Sequence, residues 1–132
     1  MSKIEIEQKL TAIESKINAP LVYKTIPLAT NCTNTASYTI RNGYCTLILN
    51  VNYNKNLGGG NGEASQADII NTSILPKPKA NYQKHIVVYS NGDKAYKHIT
   101  FSINTSGLVY IQAFEPVKGS FNIKYVATYP IG

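Results

Sequence analysis

The chain has 132 residues, about one domain's worth, with 13 Lys+Arg, 7 Asp+Glu, 2 Cys and no Trp. It has no stretch near the roughly 20 apolar residues that cross a bilayer, and its first residues lack the apolar core of a secretion signal, so we expect a soluble chain made in a cytoplasm. Ile and Val (23 together) outnumber Leu (8), and Tyr accounts for 10 of the 13 aromatic residues, a composition that favours β-strands.

The first predicted element is a helix near the N-terminus. Ser2 and Glu5 have the spacing of a capping box, and apolar residues then recur at the heptad steps of four, three and four, at Ile6, Leu10, Ile13 and Ile17. With Leu at position a and Ile at position d, this pattern favours three or four strands, and a parallel trimer is the leading interpretation. Two heptads also fit an ordinary amphipathic helix that lies on its own domain. Residues 1–19 are predicted to be a helical trimerisation stem, which ends before Pro20.

After Pro20 the hydrophobic period changes to two, which predicts a β-rich head domain over residues 20–132. Asn42-Gly43 lies between two alternating runs, 37–41 and 44–53, and is the strongest short-range hairpin signal. Further strands, separated by turns, are predicted at 68–75, 85–89, 97–104, 108–114 and 120–129. Seven or eight short strands suggest an antiparallel β-sandwich, and a jelly roll that closes its edges by trimer packing is the favoured interpretation.

Alternation along these strands predicts which side chains form the core. One face of the second hairpin strand carries Cys45, Leu47, Leu49, Val51 and Tyr53; later strands carry Ile99, Phe101 and Ile103 on one side, and Phe121, Ile123, Tyr125 and Ala127 on another. Cys45 thus has the position of a small buried hydrophobe. Because structural disulfides are rare in a reducing cytosol, we predict that Cys32 and Cys45 are free thiols.

Residues 54–66, with Gly58–Gly62 at their centre, have no periodicity and are predicted to form a long mobile loop. A phosphate-binding loop needs a Lys followed by Ser or Thr after its last Gly. Here Glu63-Ala64 follows. The loop therefore does not predict nucleotide binding.

Four short motifs occur in a fixed order between residue 38 and the C-terminal end. They are Tyr-x-Ile-x-Asn-Gly at 38–43, Leu75-Pro76, Ile-x-x-x-Gly-x-Val-x-Ile at 103–111, and Tyr129-Pro130. Together they resemble the C-terminal head domain of phage tail-fibre and baseplate receptor-binding proteins, especially of phages that infect Gram-positive bacteria. The resemblance implies a homotrimeric jelly roll, similar to TNF and C1q heads, on a helical stem and with host saccharide as its ligand. Lys77-Pro78-Lys79 departs from the glycine that such proteins often carry after the Leu-Pro corner.

The titratable residues of the head domain offer little catalytic chemistry. The acidic residues after the stem are Glu63, Asp68, Asp93 and Glu115. A glycosidase needs two carboxylates about 5 to 9 Å apart, and the sequence leaves a spatial pair among these four open. His85 and His98 have no nearby Cys and no metal-ligand spacing. We therefore predict no enzyme activity, no metal and no cofactor.

Most of the net charge of +6 lies between Lys77 and Lys97, which holds five Lys and one Asp, whereas Lys and Glu cancel in the stem. Aromatic rings interleaved with these lysines favour an anionic glycan, since rings cover the apolar face of a sugar and Lys neutralises its anionic groups. Nucleic acid suits the same mix, but the stem and the single Arg argue against it. Core packing and solubility also explain several of these residues. The predicted contact residues are Tyr82, His85, Asp93, Lys94 and Tyr96.

Taken together, these features predict a non-catalytic receptor-binding head at the tail tip or baseplate of a virion, assembled in the host cytoplasm. The predicted partners are further copies of the chain in a homotrimer, a host cell-wall or surface glycan, and another tail or baseplate protein at the N-terminus. Nucleic acid and membrane insertion are not expected. Two alternatives stay open: a structural module that contacts only virion proteins, and a glycan depolymerase.

Overall fold

The computed structural model describes residues 2–17, 21–58, 65–70 and 74–132, and only the backbone of 12–17. Within these ranges it has one helix, α1 (Lys3–Ile17), and eight strands. The strands are β1 (Lys24–Thr25), β2 (Cys32–Arg41), β3 (Tyr44–Tyr53), β4 (Gln66–Asp68), β5 (Tyr82–Ser90), β6 (Ala95–Ile103), β7 (Val109–Ala113) and β8 (Phe121–Pro130).

The strands form two four-stranded antiparallel sheets. The first sheet has the order β1-β2-β3-β8 and the second has the order β4-β7-β6-β5. The prediction of a mainly β fold with antiparallel sheets is confirmed, and the arrangement is consistent with a β-sandwich.

The hairpin between β2 and β3 forms where the sequence predicts it. Asn42 and Gly43 have φ angles of 53° and 77°, the left-handed values that both central residues of a type I′ turn require. β3 has the predicted bounds, whereas β2 begins at Cys32 and not at Ser37. Its first half pairs with β3 in full register, but three of its five residues are Thr or Asn, so it has no hydrophobic period to reveal it.

The predicted core faces are confirmed. The inner side chains of β3, β6 and β8 are buried, among them Leu47, Phe101 and Ile123. Aromatic rings join the two sheets, since the ring centroid of Phe101 on β6 lies 5.1 Å from that of Tyr125 on β8. Within the second sheet, the Phe101 ring also lies 6.3 Å from that of Tyr82 on β5. The core therefore lies between the sheets.

β4 is shorter than the strand predicted at 68–75. Both Ile69 and Ile70 are buried, because the chain here links the two sheets. An alternating half-exposed strand would bury only one of two consecutive residues. The backbone N–H of Ala29 donates to the Ile69 carbonyl at 3.0 Å, and Ile70 forms an isolated bridge with Leu28. Residues 71–73 of the predicted strand and residues 59–64 of the predicted Gly-rich loop lie outside the described residues.

The predicted N-terminal helix is present as α1. The Glu5 backbone N–H donates to the Ser2 hydroxyl oxygen at 3.2 Å, which is the N-cap bond of the predicted capping box. Among the described elements, α1 contacts none of the strands. Ile6 and Leu10 are about half exposed, while the side chains of Ile13 and Ile17 lie outside the described part. No described helix has the length and apolarity needed to cross a bilayer.

Candidate functional site

The outer surface of the second sheet carries several aromatic side chains together with smaller and polar ones. We call this whole surface the aromatic face. Antiparallel register places its members on the side opposite the core, because they alternate with the buried residues of the same strands. They are His85, Val87 and Tyr89 on β5, Tyr96, His98, Thr100 and Ser102 on β6, and Tyr110, Gln112 and Phe114 on or just after β7.

Rings on the aromatic face pair with one another and remain open to solvent. The His85 and Phe114 rings are stacked, with centroids 4.9 Å apart and planes 6° apart. Tyr89 and Tyr96 meet edge to face at 5.2 Å, and Tyr96 is 73% exposed and Phe114 58% exposed. Isolated exposed rings are common, but several on one sheet face make that face the candidate binding surface.

The same sheet surface holds a buried polar group that has no hydrogen-bond partner among the described residues. Ser102 is 3% exposed and sits between Gln83 and Tyr110 in the strand register. Its hydroxyl oxygen is buried and has no hydrogen-bond partner among the described residues. Buried hydroxyls almost always have a hydrogen-bond partner. The Ser102 hydroxyl therefore has an unused capacity to form a hydrogen bond on the aromatic face.

Of the five predicted contact residues, His85 and Tyr96 share the aromatic face. Tyr82 does not, because its side chain lies on the inner face, where its hydroxyl is 2.8 Å from that of Tyr125. Burial, then this hydrogen bond, raises the pKa of Tyr82 well above its usual range. The Tyr82 side chain therefore packs against the core. Alternation along β5 already pairs it with Ile86 and Val88, and only the lysine-rich context suggested a surface role.

Asp93 and Lys94 lie in the turn between β5 and β6. The Asp93 backbone N–H donates to the Ser90 hydroxyl at 3.1 Å, and Lys94 has a φ of 52°. The Lys97 ammonium lies 3.9 Å from an Asp93 carboxylate oxygen and 3.7 Å from one of Glu115. The turn thus ends in an ion-pair cluster. Its third member, Glu115, comes from the chain after β7, which is distant in sequence from this turn, so a local pattern does not predict it.

A second feature is a cavity of about 360 Å³ between β4 and the first sheet, which we call the edge cleft. Its lining includes Asn31, Tyr53, Lys55, Asp68 and Ile70. Sequence reasoning missed it, since these residues come from three segments. The only local signal is the position of Lys55 and Asp68 just after or at the end of strands, where binding residues are common.

Cys32 lies beside the edge cleft. Its thiol donates to the Asp68 carbonyl at 3.8 Å, and burial raises its pKa to about 11. Cys32 and Cys45 are both free, as predicted. A thiol with a raised pKa carries little thiolate at neutral pH and is a poor nucleophile, so the geometry gives Cys32 a structural role.

Two comparisons with known proteins found no match for this chain. No protein-family model matches it, and no curated protein matches its sequence. Within the described ranges, no group of three His, Cys, Asp or Glu residues could hold a metal ion. Function is therefore inferred from the geometry of the aromatic face.

Proposed function

We propose that this chain is the receptor-binding head of a phage tail fibre or baseplate, and that its aromatic face holds a host-surface saccharide without turning it over. The observation that carries the proposal is the exposed His85 and Phe114 pair, whose rings stack nearly parallel, with Tyr96 on the same face. A pyranose ring presents an apolar face of C–H bonds, which packs on aromatic rings. Around that contact, hydroxyl groups need polar partners.

Polar groups for a saccharide are present next to the rings. Gln112 and Gln83 lie on the same sheet surface. Ser102, whose hydroxyl has no hydrogen-bond partner among the described residues, is opposite Gln83 on the neighbouring strand. A sugar hydroxyl that displaces a neighbouring side chain would supply the bond that Ser102 lacks. Lys94 is exposed in the adjoining turn, and with the net charge of +6 it favours an anionic polymer.

The finer architecture that we propose is a trimeric jelly roll on a parallel coiled-coil stem of residues 1–19. The apolar stripe of α1 is open at Ile6 and Leu10, and an isolated helix of this length is marginal in water. Two further copies of the chain would cover the stripe, as its heptad spacing favours. A tail or baseplate protein would hold the N-terminus, and three heads on one stem would raise the avidity of weak glycan contacts.

Loss of a ring from the aromatic face should weaken glycan binding. The full chain is applied to an array of purified cell walls, teichoic acids and neutral wall polysaccharides from Gram-positive bacteria. Relative to the unchanged protein, Phe114→Ala, His85→Ala and Tyr96→Ala should each bind about threefold to tenfold more weakly per site. Val126→Ala is the matched control, since Val126 is also 58% exposed but lies on the first sheet.

Three results would contradict the proposal. Equal binding by Phe114→Ala and Val126→Ala would remove the aromatic face from recognition. No binding to any wall polymer, together with binding to a tail or baseplate protein, would favour a structural module. Release of reducing ends from a bound glycan would indicate a depolymerase, for which Asp93 and Glu115 beside Lys97 are the first carboxylates to test.

The stem should make the protein a trimer in solution. Light scattering is expected to give a mass near three times 14.5 kDa. Leu10→Asp places a charge in the seam and should shift the mass towards the monomer at low concentration. Ile4→Asp is the control, because Ile4 is two-thirds exposed and lies outside the seam. A mass of 14.5 kDa for the unchanged chain, or equal masses for the two variants, would contradict the stem.

A further inference from the structure

The edge cleft is built from both sheets. Its lining includes none of the rings of the aromatic face, although Asp68 is the cross-strand neighbour of Tyr110. On one side, the Ala29 backbone N–H donates to the Ile69 carbonyl at 3.0 Å; on the other, the Asn54 N–H donates to the Asn31 carbonyl at 2.8 Å. Tyr53 is 3% exposed, and its ring packs 5.3 Å from Phe121 between centroids. Backbone hydrogen bonds and a packed ring therefore preform the cleft, as is typical of small-molecule sites.

Opposite charges line this cleft. Lys55 and Asp68 are both lining residues, and both side chains are exposed. Within the described residues neither has an ion-pair partner, since the ion pairs found there join Lys97 to Asp93 and Glu115. The ammonium and the carboxylate are thus separate groups that a ligand in the cleft can reach.

The cost of removing water from these charges selects the ligand. A neutral ligand would desolvate the ammonium and the carboxylate without replacing their charge interactions, which costs binding free energy. A ligand that carries an anionic group for Lys55 and a cationic group for Asp68 would compensate both. The volume of about 360 Å³ lies at the small end of the range for ligand pockets, which suits one sugar unit.

Neutral groups in the lining suit hydroxyls. Thr30 and Asn31 line the cleft and are exposed, so their side chains can donate and accept hydrogen bonds. Tyr53 also lines the cleft, and burial raises the pKa of its hydroxyl. A polyhydroxylated ring would satisfy these groups together.

We propose that the edge cleft is a second binding site, for a sugar or polyol unit that carries both an ammonium group and a phosphate or carboxylate group. The site uses none of the rings on the aromatic face. It does not depend on the receptor-binding proposal, because its residues are different, although both sites would take a saccharide.

The test is a titration of the isotope-labelled full chain, followed by amide NMR, with glucosamine 6-phosphate as the probe. Glucose 6-phosphate, which lacks the ammonium, and glucosamine, which lacks the phosphate, are the comparison probes. We expect shifts at Asn31 and Ala67, and about tenfold tighter binding of the doubly charged probe than of either other probe, the effect of one charge-assisted hydrogen bond.

Two variants test which charged group of the probe each cleft residue binds. Asp68→Asn should bind glucosamine 6-phosphate and glucose 6-phosphate equally, and Lys55→Met should lose about tenfold for both phosphates. Lys124→Met is the control, since Lys124 is an exposed lysine on the first sheet, and should bind as the unchanged protein does. Equal affinities for all three probes, an Asp68→Asn variant that still prefers the ammonium, or no shift at Asn31 and Ala67 would overturn the proposal.

The two proposals fail separately. Phe114→Ala should leave binding of glucosamine 6-phosphate unchanged, and Lys55→Met should retain the ring-dependent part of glycan-array binding. If Phe114→Ala instead removed the shifts at Asn31 and Ala67, the probe would be bound at the aromatic face, and the edge cleft would be excluded as its site.

Discussion

Gly119→Ala is expected to destabilise the protein by about 2 to 5 kcal/mol. Gly119 has a φ of 72°, where a Cβ already costs energy, and a Cβ built there would lie 2.7 Å from the Gly92 backbone nitrogen and 3.0 Å from its Cα. Backbone at that distance has little room to move, because the Gly92 N–H donates to the Lys118 carbonyl at 2.9 Å. The turn before β8 and the turn after β5 would have to separate.

Gly43→Ala is the matched control for this prediction. Gly43 has a similar φ of 77°, but its Cβ would have no neighbour within 4 Å, so it should cost only about 1 to 2 kcal/mol. Urea unfolding of both variants measures the difference. An equal loss at the two positions would show that the close approach of the two turns is absent in solution.

Phe101→Ala is expected to cost about 3 to 5 kcal/mol. The Phe101 ring is fully buried and packs against Tyr125 and Tyr82 at centroid distances of 5.1 and 6.3 Å. Removal of the ring leaves a cavity between the two sheets, where β5 and β8 approach each other. Thermal and urea unfolding should both show the loss.

Phe114→Ala removes the same atoms from the opposite side of the second sheet. Phe114 is mostly exposed and contacts the His85 ring, so its truncation should cost about 1 kcal/mol or less, while glycan binding falls as proposed above. Similar destabilisation by the two variants would mean that another chain covers the aromatic face in solution. The pair therefore separates a stabilising ring from a binding ring on one sheet.

Strand alternation decides which of the predicted contact residues lie on the same sheet face. His85 and Tyr96 were predicted from composition and lie on one exposed face, as strand alternation allows. Tyr82 belongs to the same stretch of chain but to the other face of β5, and its hydroxyl bonds Tyr125. A charge run describes a segment of sequence, whereas the side of a strand on which each residue lies depends on a period of two.

Phe114 and the edge cleft could not be predicted in this way. Phe114 reaches His85 because β7 and β5 lie on either side of β6, and no short window contains all three strands. Lys55 and Asp68 meet at one cleft because the chain links the two sheets at Ile69 and Ile70. Both arrangements depend on contacts between residues distant in sequence.

The features that can be predicted from sequence are therefore those that local physics decides. The Asn42-Gly43 turn, the inner and outer faces of β3 and β6, and the capped helix α1 follow from backbone sterics and from the hydrophobic period within a few residues. Three features depend instead on how the sheets fold together: the order of the strands, the His85 and Phe114 stack, and the edge cleft. Those features arise when two sheets bury their apolar faces against each other, and that packing energy belongs to the whole core and to no single segment.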